Sequence, residues 1–160
     1  MSVTPLEKDT WYRLVNLGWP RKSLDVINDG KQETDGNLQI ANTGDFSGQH
    51  WQLRPSKTHL GYFNLVTLWL GTGRALDVHA GDKTRPHLAK AGDATGQQWQ
   101  LISLGGNVWR LTNLYSGSEL FLSSDESGER VKMEPRGGDS HQRWTLVKIR
   151  GITEPGFGNN

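Results

Sequence analysis

Asp25 and Asp77 each sit between a leucine and a valine, in Ser23-Leu24-Asp25-Val26 and Ala75-Leu76-Asp77-Val78. An aspartate near a strand end either caps a turn through its own backbone or offers a charged acceptor to a ligand. Gln49, Gln97 and Gln142 each precede a tryptophan by two residues. A primary amide there can satisfy backbone groups at a turn. Asp77-x-His79 places two polar side chains on one strand face, and His87 could join them as a metal set. The trio lacks zinc-type spacing, so no metal is expected. Gly71-Thr72-Gly73 lacks the Gly-Lys-Ser/Thr and helix of a phosphate loop and reads as a hairpin turn. There is no cysteine nucleophile, no Gly-x-Ser-x-Gly elbow and no evident carboxylate pair, so neither catalysis nor a cofactor is expected.

Composition narrows the remaining classes. Lys and Arg number 18 against 17 Asp and Glu, a net charge of +1 with no basic stripe, so nucleic acid is not an expected partner. No apolar run approaches the roughly 20 residues a bilayer span needs, so membrane insertion is not expected. The first nine residues have neither a charged n-region nor an apolar h-region, and the chain has no cysteine. Both fit a cytoplasmic location. A cysteine-free module cut from a longer secreted chain would look the same.

The elements that must position these residues are repeated. Gly48-Gln49-His50-Trp51-Gln52-Leu53 recurs as Gly96-Gln97-Gln98-Trp99-Gln100-Leu101, and more loosely as His141-Gln142-Arg143-Trp144-Thr145-Leu146. The tryptophans are 48 and 45 residues apart, a period that signals one supersecondary unit used three times. Twenty glycines and seven tryptophans, with no apolar spacing of three and four, suit short strands and many turns.

Unit one reads as strands at Trp11–Asn16, Ser23–Val26, Leu38–Ala41 and Gln49–Leu53, with a turn at Gly18-Trp19-Pro20. Unit two matches it: Ala75–Val78 against Ser23–Val26, and His87-Leu88-Ala89 against Gln39-Ile40-Ala41. Unit three is expected to place Leu120-Phe121-Leu122 where the others have Leu-Asp-Val, followed by Val131-Lys132-Met133. The division is a polar lead-in at 1–10, one domain at 11–150 with units of about 11–57, 58–104 and 105–149, and a patternless flexible tail at 151–160. One unit cannot bury its own apolar face. Three around a pseudo-threefold axis can, with the repeated tryptophans meeting in the shared core.

Three Gln-x-Trp motifs in register, each preceded by Leu-Asp-Val or its relic, resemble the ricin B-type lectins over roughly residues 10 to 148. The resemblance implies an all-β fold, the β-trefoil, with twelve short strands in three pseudo-symmetric four-strand units. It also implies one shallow sugar pocket per unit. An aspartate at the end of the second strand accepts from two hydroxyls of galactose or N-acetylgalactosamine. A polar residue on the third strand and the Gln-x-Trp glutamine complete the polar set, and an aromatic ring covers the C–H face of the sugar. Carried onto unit one, the set is Asp25, Gln39 and Gln49, with Asn28 and Asn42 close in sequence. On unit two it is Asp77, His87 and Gln97, with His79 beside the aspartate. Unit three has Phe121 at the aspartate position with Lys132 and Gln142, so its pocket is expected to be dead.

Two departures stand out. The stacking aromatic of the family falls on Ala41 and Ala89, and its asparagine before the glutamine falls on Gly48 and Gly96. Any stacking ring must come from a loop, with Phe46, Trp19 and Trp69 as candidates. Trp19, Trp69 and Tyr115 sit near the first turn of their units, and capping the open end of the core is the favoured expectation for them. The expected partners are galactose- or N-acetylgalactosamine-terminated glycoproteins or glycolipids. Single-site binding should be weak, about millimolar to tens of micromolar, so useful binding needs several sites or a homodimer. The missing signal and cysteines are similar to cytoplasmic fungal lectins, some of which act in defence. The rival readings are a β-trefoil protease inhibitor acting through loops, an ancillary module for plant polysaccharide, and a glycan-independent interaction module.

Overall fold

The computed structural model describes residues 6–158. The chain forms twelve strands, four per unit. In unit one they are β1 (Thr10–Asn16), β2 (Trp19–Val26), β3 (Leu38–Asn42) and β4 (Trp51–Pro55). In unit two they are β5 (Phe63–Thr67), β6 (Arg74–Val78), β7 (Pro86–Lys90) and β8 (Trp99–Gly105). In unit three they are β9 (Val108–Asn113), β10 (Leu120–Ser124), β11 (Val131–Pro135) and β12 (Trp144–Gly151).

β1, β4, β5, β8, β9 and β12 pair in a ring that closes through β12 and β1, so the barrel leaves no open edge. The hairpins β2–β3, β6–β7 and β10–β11 cover one end. They hold each other in a cycle of equivalent backbone bonds. Leu88 N donates to Gly36 O at 2.7 Å, Met133 N to Thr84 O at 2.9 Å, and Ile40 N to Glu129 O at 2.9 Å. This is the β-trefoil that the family resemblance implies, with the three equivalent units that the repeat predicts.

Trp51, Trp99 and Trp144 are fully buried in one core cluster with Leu14, Leu65 and Leu111. Each indole N–H donates to a carbonyl in the second strand of its own unit: Leu24 O at 3.0 Å, Leu76 O at 2.9 Å and Leu122 O at 3.0 Å. The rings therefore tie each hairpin to the barrel as well as filling the core.

Four expectations need correction. Gln49 does not begin a strand. It ends a 3-10 turn, Ser47–Gln49, as Gln97 and Gln142 do in theirs, and β4 starts at Trp51. Trp19 lies in β2 and not in the turn before it. The unit-three alignment is two residues out. Trp144 bonds to Leu122 O, so Leu122 is the equivalent of Leu24 and Leu76, and Ser123 holds the aspartate position in place of Phe121. The tail is not loose over 151–158. Phe157 is buried against Trp11, Val66 and Ala75, with its ring edge-on to Trp11 at 4.9 Å. Gln52 Nε2 donates to Phe157 O, and Trp11 Nε1 to Glu154 Oε1, both at 3.1 Å. Residues 159 and 160 lie outside the described residues.

Candidate functional site

The three Gln-x-Trp glutamines build the same device. Gln49 Nε2 donates to Asn42 O at 2.9 Å while its Oε1 accepts from Gly44 N at 3.1 Å. Gln97 does this with Lys90 O at 2.8 Å and Gly92 N at 2.9 Å. Gln142 does it with Pro135 O at 2.6 Å and Gly137 N at 2.9 Å. All three are buried, so the amide fixes the chain between the third strand and the 3-10 turn, and little of it remains for a ligand.

Each 3-10 turn lies against the second strand of its unit, which carries the aspartate in units one and two and Ser123 in unit three. Asp25 on β2 pairs across the hairpin with Gln39 on β3, and Gln39 Nε2 donates to Asp25 Oδ2 at 3.1 Å. Only 8% of Asp25 is exposed. That burial raises its pKa, and hydrogen bonds from Gln39, Gln49 and Val26 offset part of the rise. A Cβ at Gly48 would lie 2.6 Å from Asp25 Oδ1, so only glycine lets the turn approach this closely. Asn28 and Asn42 do not join this group. Asn42 pairs with Lys22 three positions along the hairpin from Gln39, and Asn28 lies in the loop at the other end.

Unit two repeats the arrangement with a more open carboxylate. Asp77 pairs with His87 across β6–β7. Its Oδ1 accepts from Val78 N at 2.7 Å and its Oδ2 from Gln97 Nε2 at 3.0 Å. A Cβ at Gly96 would lie 2.2 Å from Oδ1. His79 stacks on His87 with ring centres 3.6 Å apart and planes at 21°. Burial lowers the His87 pKa first, and His79 lowers it further against the opposing pull of Asp77. The structure thus gathers Asp77, His79, His87 and Gln97 at one place.

Unit three is closed. Ser123 Oγ donates to Ser124 O at 3.0 Å. His141 stands where the other units have Gly48 and Gly96, and Trp19 stacks on it at 6.0 Å and 14°. Gly18 makes room, since a Cβ there would sit 2.1 Å from His141 Cδ2.

The four candidate aromatics differ in exposure. Phe46 is 58% exposed and Trp69 44% exposed, whereas Trp19 and Tyr115 are half-buried. Trp69 borders a groove with Ile27, Asn28, Asp29, Gln32 and Asp35 of the β2–β3 loop. Sequence reasoning named Trp69 as a candidate ring but not the loop it faces, because that pairing joins two units.

Residues 47–134 match the family described as Ricin-type beta-trefoil lectin domain-like. Among solved structures, the designed threefold-symmetric protein ThreeFoil is 26% identical, with a TM-score of 0.73 over 87% of this chain and 99% of that one. The exo-β-1,3-galactanase 1,3Gal43A of Clostridium thermocellum is 23% identical with a TM-score of 0.69, over 91% of this chain but only 31% of that one. SeviL, solved bound to the asialo-GM1 saccharide, is 16% identical with a TM-score of 0.66, over 88% of this chain and 98% of that one. No curated protein sequence matches the chain. The family match takes in more than half of the chain, and the three units close the fold that it names, so this protein belongs to the ricin-type β-trefoil lectin domain-like family.

Proposed function

We propose that the protein is a lectin that binds galactose- or N-acetylgalactosamine-type glycans at shallow sites in units one and two, without catalysis. The observation that carries this reading is the second-strand aspartate braced by an amide in both units: Asp25 by Gln39, and Asp77 by Gln97. A braced carboxylate is a preorganised acceptor, and two adjacent hydroxyls can share its lone pairs. Family membership supports the reading, as does likeness to a fold-mate solved with a saccharide and to a galactanase. Asp77 is the more accessible carboxylate and its stacked histidines offer a flat neighbour, so unit two takes a terminal sugar more readily than unit one. A role in the cytoplasm, and in defence against animals that carry such glycans, belongs to the same proposal.

The test is a glycan array probed with the wild-type chain, with galactose and lactose as soluble competitors. Signal on terminal galactose or N-acetylgalactosamine that the competitor removes supports the proposal. Asp25→Asn and Asp77→Asn should then each remove one component of binding. A blank array from a folded sample contradicts it, and inhibition of papain-like enzymes or trypsin becomes the next reading to test.

A further inference from the structure

The start of each unit sends one residue over the hairpin loop of the unit before it. Backbone bonds define the equivalence: Leu17 N donates to Arg143 O, Leu68 N to His50 O and Leu114 N to Gln98 O. The residues that follow are Gly18, Trp69 and Tyr115. Two of the three positions are spent on protein. Tyr115 lies on the unit-two loop, with its hydroxyl accepting from Gly81 N at 2.9 Å and Lys83 Nζ 5.6 Å from its ring centre. At the third junction Trp19, one residue after Gly18, covers Gly128 of the unit-three loop and stacks on His141. Trp69 is the most exposed of these rings, and it faces the groove along the unit-one loop, whereas Trp19 borders a shallow pocket of its own unit with Pro20, Arg21, Lys22 and Asn42.

We propose that this groove is a glycan subsite, in which Trp69 of unit two stacks on the C–H face of a neutral pyranose while the β2–β3 loop of unit one binds its hydroxyls. The proposal rests on the lectin reading and extends it. It supplies the ring that Ala41 lacks on β3, from a different strand pair and a different unit.

The loop has the groups and the rigidity. Asn28, Asp29, Gln32 and Asp35 are exposed and offer both donors and acceptors. Asp29 Oδ1 accepts from Lys31 N at 3.0 Å and from the Thr34 hydroxyl, which ties the loop to itself. Gly36 O accepts from Leu88 N, and Asp35 Oδ2 meets Arg74 Nη1 at 3.1 Å, which ties it to unit two. The backbone that carries the ring is fixed as well. Trp69 N donates to Ser47 O at 3.2 Å, in the turn whose Gly48 abuts Asp25. The loop and the backbone that carries the ring are therefore held before any ligand arrives, and the groove adjoins the Asp25 site through one 3-10 turn. A flat apolar face opposite a polar loop matches the two sides of a pyranose, one C–H and one hydroxyl.

The experiment titrates the strongest array glycan into wild type, Trp69→Ala, Trp69→Phe and Tyr115→Phe, by calorimetry and by tryptophan emission. Trp69→Ala should weaken binding about tenfold, and Trp69→Phe should stay within about threefold of wild type. The emission change on binding should be present in wild type and absent in Trp69→Ala. Tyr115→Phe should bind as wild type does. If Trp69→Ala, folded by circular dichroism, keeps wild-type affinity within about twofold, the subsite is overturned and the lectin reading stands. If wild type binds no glycan, the lectin reading falls, and the subsite falls with it.

Discussion

Replacing Gln142 by alanine isolates the structural work of the Gln-x-Trp glutamine, because unit three has no open site to confuse the result. The side chain is 3% exposed and makes two bonds, to Pro135 O and from Gly137 N. Alanine leaves one donor and one acceptor without their partner. A fully buried orphan costs about 1 to 3 kcal/mol. Pro135 and Gly137 are partly reachable by water, so the low end applies to each, for a sum of about 2 kcal/mol. In a domain of this size, each kcal/mol moves the melting midpoint by about 2–4 °C, so the expected fall is about 4–8 °C. Gln97→Ala should cost more, since Gln97 also donates to the Asp77 carboxylate. The assay is scanning calorimetry of Gln142→Ala, Gln97→Ala and wild type, with circular dichroism to confirm the fold. A fall below about 1 °C in Gln142→Ala would refute the reasoning, as would a Gln97 loss no larger than that of Gln142.

Other outcomes follow from the same geometry. Asp25→Asn should be at least as stable as wild type at neutral pH. The folded pKa of Asp25 is raised, so its ionised form is a cost above that pKa, and the cost disappears as pH falls through it. Urea unfolding at several pH values should show the advantage of the variant shrinking on acidification. His87 has the opposite sense: its folded pKa lies below the ordinary 6.5, so wild type should lose stability relative to His87→Gln as pH falls through and below that value. Gly96→Ala should lower the melting midpoint and disturb the unit-two site together, because the new methyl meets Asp77 Oδ1 and the Val78 backbone. Phe157→Ala should cost about 2 kcal/mol by urea unfolding, less than a central core truncation because the chain end can resettle. It should also expose residues after Gly151 to proteolysis.

The fold was legible because its period is carried by the largest side chains. A tryptophan every 45 to 48 residues, with a glutamine two before it, marks the same corner of three units. Register in unit three was not legible from alternation. Side chains repeat every two residues along a strand, so a slip from Leu122 to Leu120 keeps every apolar residue on the same face. The indole bond to Leu122 O fixes the alignment. A signal was present in the spacing from the first strand: Leu14 to Leu24 is 10 residues, while Leu65 to Leu76 and Leu111 to Leu122 are both 11. The tail was illegible for a different reason. Phe157 docks from a short stretch of Gly and Pro beside Ile152 and Glu154, and so few anchors have no period.

The candidate site was legible only within a unit. Asp25 with Gln39, and Asp77 with His87 and Gln97, are what the family resemblance implies within each unit, and the hairpin register pairs Asp25 with Gln39 and Asp77 with His87. Asn28 and Asn42 were drawn in by sequence proximity, yet the hairpin puts them at opposite ends. The Trp69 groove joins two units, and a repeat read unit by unit does not show it.

Amide chemical-shift mapping by NMR, with lactose titrated into the wild-type chain, tests the central claim most directly. The account predicts saturable shifts clustered around Asp25, Asp77 and their 3-10 turns, with Ser123 and His141 of unit three unmoved. Shifts centred on unit three, or none at millimolar lactose on a folded sample, would contradict it.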